Sequence, residues 1–517
     1  MHKSDILFIN PGNASGIYQE LAKDYSAVEP PTWALLLAEA VRNKGYKPEI
    51  LDINAERLSN EEASKRIEEY DPRLICFVVY GQNVNAGTVG MSGAVKLSNL
   101  LKDKGVKTPI SYVGSYIQSV PLKCLEEEQS IDFGFTNEGV YSILNVLSQP
   151  EININNLGHI KGIVWRDKGK PTMTYSERLV SKKEMDTELP GYAWDLLPYD
   201  KVPFDLYKSP MWHAEYDQTQ RSPYAALQTS LGCQFHCNFC MINIINRDDN
   251  EEIGVAGNYS LMRFWSPEFV IKEFDKLIEM GVRTIRIVDE MFLLNPKYYI
   301  PMLELLKDRN NKLKEQGEEL KMWAYSRVDT IRRPEILKLV KEAGIKWLCL
   351  GIESADKNVR LEVSKGKFED VNIVNVVNQV HEAGIEVMAN YIVGLPCDTH
   401  ESMQKTLDLS LELCTSGWNM YAAMALPGSL LYKTAVEEGV ELPEDYEGYS
   451  FHSYNTLPLP TEKLSPAEIL KFRDDAFNTY HNNPQFLKRI EKLFGKEQAD
   501  SIKEMTKIKL KRKIFGD

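Results

Sequence analysis

The sequence predicts an α/β protein: a doubly wound parallel sheet, then a partial barrel of six strand-helix units, then a helical carboxyl-terminal region. Three observations lead there. Short apolar runs alternate with amphipathic stretches over residues 1–148, the alternation restarts in longer units from residue 226, and beyond residue 430 only helical patterns remain. A chain of 517 residues, 43% of them hydrophobic, can bury more than one core, so several domains are expected.

In the first domain, residues 1–148, "DILFIN" (5–10), "PEILD" (48–52), "LICFVVY" (74–80), "ISYVG" (110–114) and "DFGF" (132–135) read as strands. Helical patterns lie between them, such as "TWALLLAEAVRNKG" (32–45), with Gly45 as its stop, and "MSGAVKLSNLLKDKG" (91–105). Strands separated by helices form a Rossmann-like sheet whose ligand lies outside the carboxyl ends of the strands, here at loops 10–12, 80–85, 114–116 and 136–139. Residues 149–221 hold a hairpin, "GIVWRDKGKPTMTY" (162–175), and a Pro- and aromatic-rich connector, "ELPGYAWDLLPYDKVP" (188–203). The barrel region, 222–432, offers strands at 226–230, 284–288, 321–326, 347–352, 387–393 and 419–424. A helix at 266–281 starts at Ser266-Pro267 and stops at Gly281. Chemistry in such barrels sits at the carboxyl ends of the strands. In the last region, 433–517, "SPAE" (465–468) is a capping box.

The net charge of −13, from 61 basic and 74 acidic residues, repels phosphate backbones, so no nucleic-acid partner is expected. "KIKLKRK" (507–513) reads as a solvated basic tail. No apolar run approaches the ~20 residues of a transmembrane segment, and the start lacks a secretory signal, so the expected location is cytoplasmic. There the eight cysteines stay as thiols.

Three of those cysteines, Cys233, Cys237 and Cys240, form C-x3-C-x2-C just after the first barrel strand. Structural zinc wants four protein ligands, commonly two close pairs, and no second pair follows. Cys349 falls within a strand, Cys397 and Cys414 are isolated, and His236 is hemmed between two of the trio. A 4Fe-4S cluster on three cysteines leaves one iron open to a small molecule. A zinc-stabilised scaffold that binds a nucleotide or a partner stays open as the alternative.

The loop resembles that of the radical S-adenosylmethionine (radical SAM) enzymes, with Phe239 as the aromatic before the third cysteine at the end of the first strand of a six-unit barrel. The resemblance implies a 4Fe-4S cluster on Cys233, Cys237 and Cys240. Its open iron would chelate S-adenosylmethionine, and its electron would cleave the sulfonium to a 5′-deoxyadenosyl radical. The similarity continues in "VDEMF" (288–292), where Asp289 and Glu290 stand at the motif that meets the methionine amino group. Many relatives have Gly-Gly-Glu there, so either carboxylate could serve. "AYSRVDT" (324–330) places Arg327 where a basic residue meets the methionine carboxylate, and "GIESADKNVRLEVSKG" (351–366) places Glu353 and Ser354 against polar parts of the ligand. "YIVGLPCDTHESMQKT" (391–406), with Gly394, resembles the stretch that passes the adenine, and "ALPGSLLY" (425–432) the closing segment. A zwitterionic ligand needs an anion and a cation nearby, and Asp289, Glu290, Arg327 and Glu353 all fall at strand ends.

The amino-terminal half resembles the cobalamin-binding domains fused to such barrels, in "EPPTWALLLAEAVRNKGYKPEILD" (29–52) and "YVGSYIQSVPLKCLEEEQSIDFGFTNEG" (112–139). Asn10, Tyr80, Gly114, Ser115, Glu138 and Gly139 are the implied cobalamin contacts. Ser115 replaces the usual second Gly, and Asn137 stands where Gly is usual. No histidine lies between His2 and His159, so this domain offers cobalt no lower imidazole ligand. The resemblance implies a cobalamin-dependent radical SAM enzyme that methylates an unactivated carbon of a small-molecule substrate. Its electrons would come from a donor such as flavodoxin or ferredoxin. A non-methylating radical rearrangement or cyclisation is the alternative within enzymes. Trp323, Tyr325, Trp347, Tyr391 and Tyr421 are candidate barrel-lining aromatics.

Overall fold

The computed structural model describes residues 2–81, 84–198, 206–209, 223–255, 262–331, 333–365 and 371–517. Strands β1 (Ile6–Asn10), β2 (Pro48–Asp52), β3 (Ile75–Val79), β4 (Ile110–Gly114) and β5 (Phe133–Phe135) run parallel in the order β2-β1-β3-β4-β5. They read as continuous apolar runs because helices cover both faces. Ile6 and Phe8 belong to one core with Leu35 and Leu36 of helix Thr32–Arg42; Leu7 and Ile9 belong to the other, with Leu97 and Leu101 of helix Gly87–Asp103.

The hairpin of β6 (Ile163–Asp167) and β7 (Lys170–Met173) completes this sheet, since β6 pairs antiparallel with β5 through Phe133↔Trp165 and Phe135↔Ile163. The sheet therefore runs past residue 148. Three-residue β5 would otherwise expose an unpaired edge, and the hairpin covers it. Its turn has positive φ at both Lys168 (50°) and Gly169 (84°), which suits the twist of a tight hairpin.

Six further strands, β8 (Tyr224–Leu227), β9 (Thr284–Ile287), β10 (Lys321–Arg327), β11 (Ile345–Glu353), β12 (Glu386–Val393) and β13 (Gly417–Ala422), pair in parallel in chain order. This is the partial barrel that the sequence predicts. β8 stops at Leu227, short of the expected residue 230, because Asp289 rather than a ladder partner takes the N–H of Thr229. Trp323, Trp347, Cys349 and Met388 form one inward cluster, with Tyr325 against it, whereas Tyr391 belongs to the larger core outside.

Helices Pro466–His481, Pro484–Phe494 and Lys496–Lys507 end the chain, the first opened by a Ser465–Glu468 capping box. Tyr480 stacks on Trp418, and Phe494 on Trp347 near the start of β11. The basic stretch 507–513 is not wholly a solvated tail. Arg512 is 1% exposed, pairs with Asp474 at 2.9 Å and donates to the carbonyls of Phe451 and Ser453, so it anchors the terminus to the body. The connector packs across both sheets, with Ala193 N–H on the Leu35 carbonyl and Trp194 Nε1–H on Glu273; its residues 199–203 lie outside the described ones. Among the described residues no helix is long and apolar enough to cross a membrane.

Candidate active site

The cysteine loop leaves β8 through Gly232, whose φ of +87° turns the chain sharply and is open only to glycine without strain. Its path is then fixed at several points. Asn243 clamps Cys233 from both sides, accepting its N–H at 2.8 Å and donating to its carbonyl at 2.7 Å. The His236-Cys237 backbone pairs antiparallel with Ser364-Lys365, beyond β11. Asn238 accepts the N–H of Leu431 from the "ALPGSLLY" segment. The glycine ending the motif at 351–366, Gly366, lies outside the described residues.

Each of the three sulfurs accepts at least one N–H, and Cys240 also takes that of the Ile242 backbone. The Phe235 backbone donates to Cys233 Sγ at 3.5 Å, Arg327 Nη1 to Cys237 Sγ at 4.0 Å, and Asn85 Nδ2 to Cys240 Sγ at 3.7 Å. Burial pushes the Cys233 and Cys237 thiols up to about 12, and that of Cys240 higher still. A loop that spends an N–H donor on each buried sulfur suits metal-bound thiolates, which retain negative charge for those donors to stabilise. Among the described residues no three His, Cys, Asp or Glu side chains converge on one ion. The donor set fits an iron-sulfur cluster.

The two carboxylates of "VDEMF" separate cleanly. Asp289 is 2% exposed and accepts at least three hydrogen bonds, among them those from Thr229 N–H (2.5 Å), Thr229 Oγ1 (2.6 Å) and Ser230 Oγ (2.6 Å). It ties the ends of β8 and β9 together beneath the cysteine loop. Glu290, one residue on, is half-exposed at the barrel mouth. Burial raises its carboxyl to about 7, with Arg286 opposing the rise and Asp289 adding to it.

Across the mouth, Glu353 is also half-exposed and raised to about 7, by burial first and then Asp329, against the pull of Arg327. It sits at a register shift between β11 and β12 with φ at 64°, an uncommon backbone for a residue with a Cβ. A Cβ on Gly351 would come within 2.7 Å of Glu353 Oε1, so glycine two residues earlier makes room for the carboxylate.

Arg327 is 2% exposed, forked onto Asp329 at 2.6 and 2.7 Å and laid over the Phe235 ring at 3.6 Å. Its cation thus faces Cys237 from a fixed position. Ser354 is fully buried, near Thr406 Oγ1 and accepting the Asp356 N–H. Gly394 has φ +79°, and a Cβ there would meet Ile469 at 2.6 Å, so its surroundings are those of helix packing. Phe239 packs with Val359, Ile392, Leu395, Ala423 and Tyr421 between the loop and the last strands.

At the carboxyl edge of the amino-terminal sheet, Asn10 is half-exposed and donates to Asp52 at 2.7 Å. Tyr80, Gly114, Ser115, Glu138 and Gly139 are all buried. Glu138 pairs with Arg263 of the barrel region at 2.7 Å and accepts the Val180 N–H. Gln118 donates to Tyr80 Oη and to the Asn137 carbonyl, so three loops close on one another. Yet Thr88 Oγ1, Ser115 Oγ, Gln118 Oε1 and Thr136 Oγ1 are buried there with no hydrogen-bond partner among the described residues. Orphaned polar atoms gathered at the ligand edge of such a sheet are what a polar ligand would satisfy, and in that respect the edge fits a cofactor.

Asn85, Asn243 and Arg263 carry much of this geometry and stand out from the sequence by no signal of type or spacing. Gln118, three residues beyond the "VGS" turn, has only its nearness to that motif to mark it.

A loop of three cluster-ready cysteines at the mouth of a partial six-strand barrel defines a radical SAM domain, and residues 227–410 match the family model of the Radical SAM superfamily. Residues 227–410 therefore form a radical SAM domain, with a doubly wound domain ahead of its barrel. An uncharacterized methyltransferase of Pyrococcus horikoshii is 25% identical over 489 residues, which is 93% of either chain. The hopanoid C-2 methylase of Rhodopseudomonas palustris is 26% identical over 273 residues, 52% of this chain and 48% of that one. Among solved structures, the fold is similar to that of the radical S-adenosylmethionine methyltransferase TsrM from Kitasatospora setae, with cobalamin and a [4Fe-4S] cluster bound (TM-score 0.61, 17% identity, 91% of this chain and 85% of that one). It is also similar to the cobalamin-dependent S-adenosylmethionine radical enzyme OxsB (TM-score 0.64, 14% identity, 97% and 70%).

Proposed function

We propose that this enzyme transfers a methyl group from S-adenosylmethionine to an unactivated carbon of a small molecule, with cobalamin as methyl carrier. The observation that carries the reading is the cysteine loop in which each of the three sulfurs meets an N–H, set between two half-buried carboxylates that follow different strands. A cluster on Cys233, Cys237 and Cys240 supplies the electron that cleaves the sulfonium when S-adenosylmethionine is bound. Glu290 and Glu353 face the mouth from opposite sides and would hold the amino group and other polar parts of the ligand. Arg327 stays on Asp329 and acts through Cys237. The buried walls keep water from the reacting carbon. Ser115, Gln118 and Thr136 would give polar contacts to cobalamin. The relatives named as methylases support methyl transfer. An electron donor such as flavodoxin or ferredoxin and a cytoplasmic location complete the reading.

One observation favours a second reading. The mutual closure of Tyr80, Gln118 and Asn137 suits an amino-terminal domain that serves as a fixed wall for a radical rearrangement or cyclisation without methyl transfer. Anaerobic reconstitution with iron, sulfide and hydroxocobalamin, followed by turnover with methyl-labelled S-adenosylmethionine, separates the two. The first expects iron and sulfide near four per chain, bound cobalamin and label in the product. Cluster and 5′-deoxyadenosine without cobalamin or label would leave the second. One zinc per chain and no cluster would sink both.

A further inference from the structure

Asn85 lies in the loop after β3, in the amino-terminal domain, yet both ends of its side chain reach the cysteine loop. Its Oδ1 accepts the Met241 N–H at 2.9 Å, and its Nδ2 donates to Cys240 Sγ at 3.7 Å. The orientation of the amide is fixed by chemistry: a backbone N–H can only donate, so the oxygen must face Met241 and the NH2 must face the sulfur. The contact is braced on either side. Ser119 Oγ of the same domain donates to the Pro427 carbonyl at 2.8 Å, and Gly254 N–H reaches the Ser119 carbonyl at 2.7 Å. Among the described residues, the N–H groups of Phe235 and Ile242 that meet the sulfurs belong to the loop, that of Arg327 to the barrel, and that of Asn85 to the domain that carries the cofactor edge.

We propose that Asn85 is a positioning residue that makes the amino-terminal domain part of the cluster's outer shell and raises the cluster's reduction potential. The inference rests on the cluster reading above. An N–H aimed at a cluster thiolate favours the reduced form, which carries one more negative charge. The one-electron reduction is then easiest when the amino-terminal domain is docked.

The test uses the full-length reconstituted protein, titrated with dithionite and followed by electron paramagnetic resonance, with iron and sulfide counted in each sample. Asn85→Ala removes both contacts. Asn85→Asp keeps an oxygen for the Met241 N–H and replaces only the donor to sulfur, so it serves if the alanine variant loses iron. The expected result is a midpoint shifted negative in both, with Asp at least as low as Ala. A threefold to tenfold loss in the reduction equilibrium is expected, where tenfold is about 59 mV for one electron. Midpoints equal to the unsubstituted protein, at equal iron content, would overturn the proposal and leave the cluster reading standing. Absence of a cluster from the unsubstituted protein would remove that reading first.

Discussion

Two edges of this molecule obey the same topological rule and are finished differently. The carboxyl ends of the barrel strands form a mouth where Glu290 and Glu353 stay half-exposed, carry carboxyls raised to about 7, and in one case sit on left-handed backbone. The carboxyl ends of the amino-terminal strands are closed by hydrogen bonds among Tyr80, Gln118 and Asn137 and by the Glu138–Arg263 ion pair, and hydroxyl and amide oxygens of Thr88, Ser115, Gln118 and Thr136 have no hydrogen-bond partner among the described residues. Strain and charge are thus concentrated at the mouth, where a charged ligand would relieve them. The other edge pairs its charges within the protein and offers mainly neutral polar atoms, which suits a neutral polar surface or a docking function. A shared fold rule locates a ligand edge, and side-chain satisfaction then says what kind of ligand it awaits.

The sharpest break of the comparison is at the mouth. Cys233→Ala should abolish 5′-deoxyadenosine formation, a loss of at least about a thousandfold by analogy with removal of an essential catalytic group, while any cobalamin bound at the other edge is retained. Product analysis together with iron and cobalamin counts on one sample checks both halves. Loss of both cofactors would tie the two edges together more tightly than the separate hydrogen-bond networks imply.

The next largest effect belongs to the closed edge. Arg263→Met leaves Glu138 as a buried, unpaired carboxylate and removes donors to the Val180 carbonyl and Asn246 Oδ1. Breaking a buried pair this way costs about 3–5 kcal/mol, read as a clear fall in the apparent melting temperature. A fall of under a degree would show that the domain interface does not depend on the pair. Asp289→Asn follows, since a group accepting three short hydrogen bonds gives up its charge and must turn an NH2 toward donors, at about 2–3 kcal/mol. Glu290→Gln should not lower the melting temperature, leaving it unmoved at pH 5 and raising it slightly at pH 8, and should weaken S-adenosylmethionine binding about tenfold, the scale of one charged contact. Equilibrium dialysis of both variants reverses the assignment if Asp289→Asn alone loses ligand.

Much of this architecture is legible in the sequence. The strands are, because each is a buried apolar run between turn residues, and the cysteine trio is, because its spacing suits few other sites. The pairing of the 162–175 hairpin with β5 is not, since an edge is completed by whichever segment folds back to it. Nor is the choice between Asp289 and Glu290: adjacent residues point to opposite sides, and Thr229 and Ser230, sixty residues earlier, decide which side is sealed. Arg512 looks solvated in a basic run because the groups it binds, Asp474 and the turn at 451–456, come from elsewhere in the chain. Asn85 is illegible for the same reason, acquiring its role only when two domains dock.

The gentlest test follows from the carboxyls at the mouth. In the apo protein, burial raises Glu353 to about 7 from an ordinary value of 4.5. Below about pH 4.5 the native and unfolded states are both protonated and the group contributes no pH dependence. Between 4.5 and 7 the unfolded chain releases its proton while the native chain keeps it, so stability falls as pH rises. Above 7 the deficit is complete. Glu353→Gln cannot ionise and removes that slope, so the variant should melt a degree or two higher than the parent at pH 8 and with it at pH 5, an effect of ordinary single-substitution size. The sloped part of the difference should fall in the window from 4.5 to 7. Glu290, raised to the same value, supplies a second slope of the same sign, so the parent's dependence should be reduced rather than abolished. Saturating S-adenosylmethionine should shrink the difference at pH 8, because an ammonium at the mouth favours the ionised carboxylate. A variant that melts higher at pH 5 and not at pH 8 would show that Glu353 is already compensated, and the mouth would then be as self-satisfied as the amino-terminal edge.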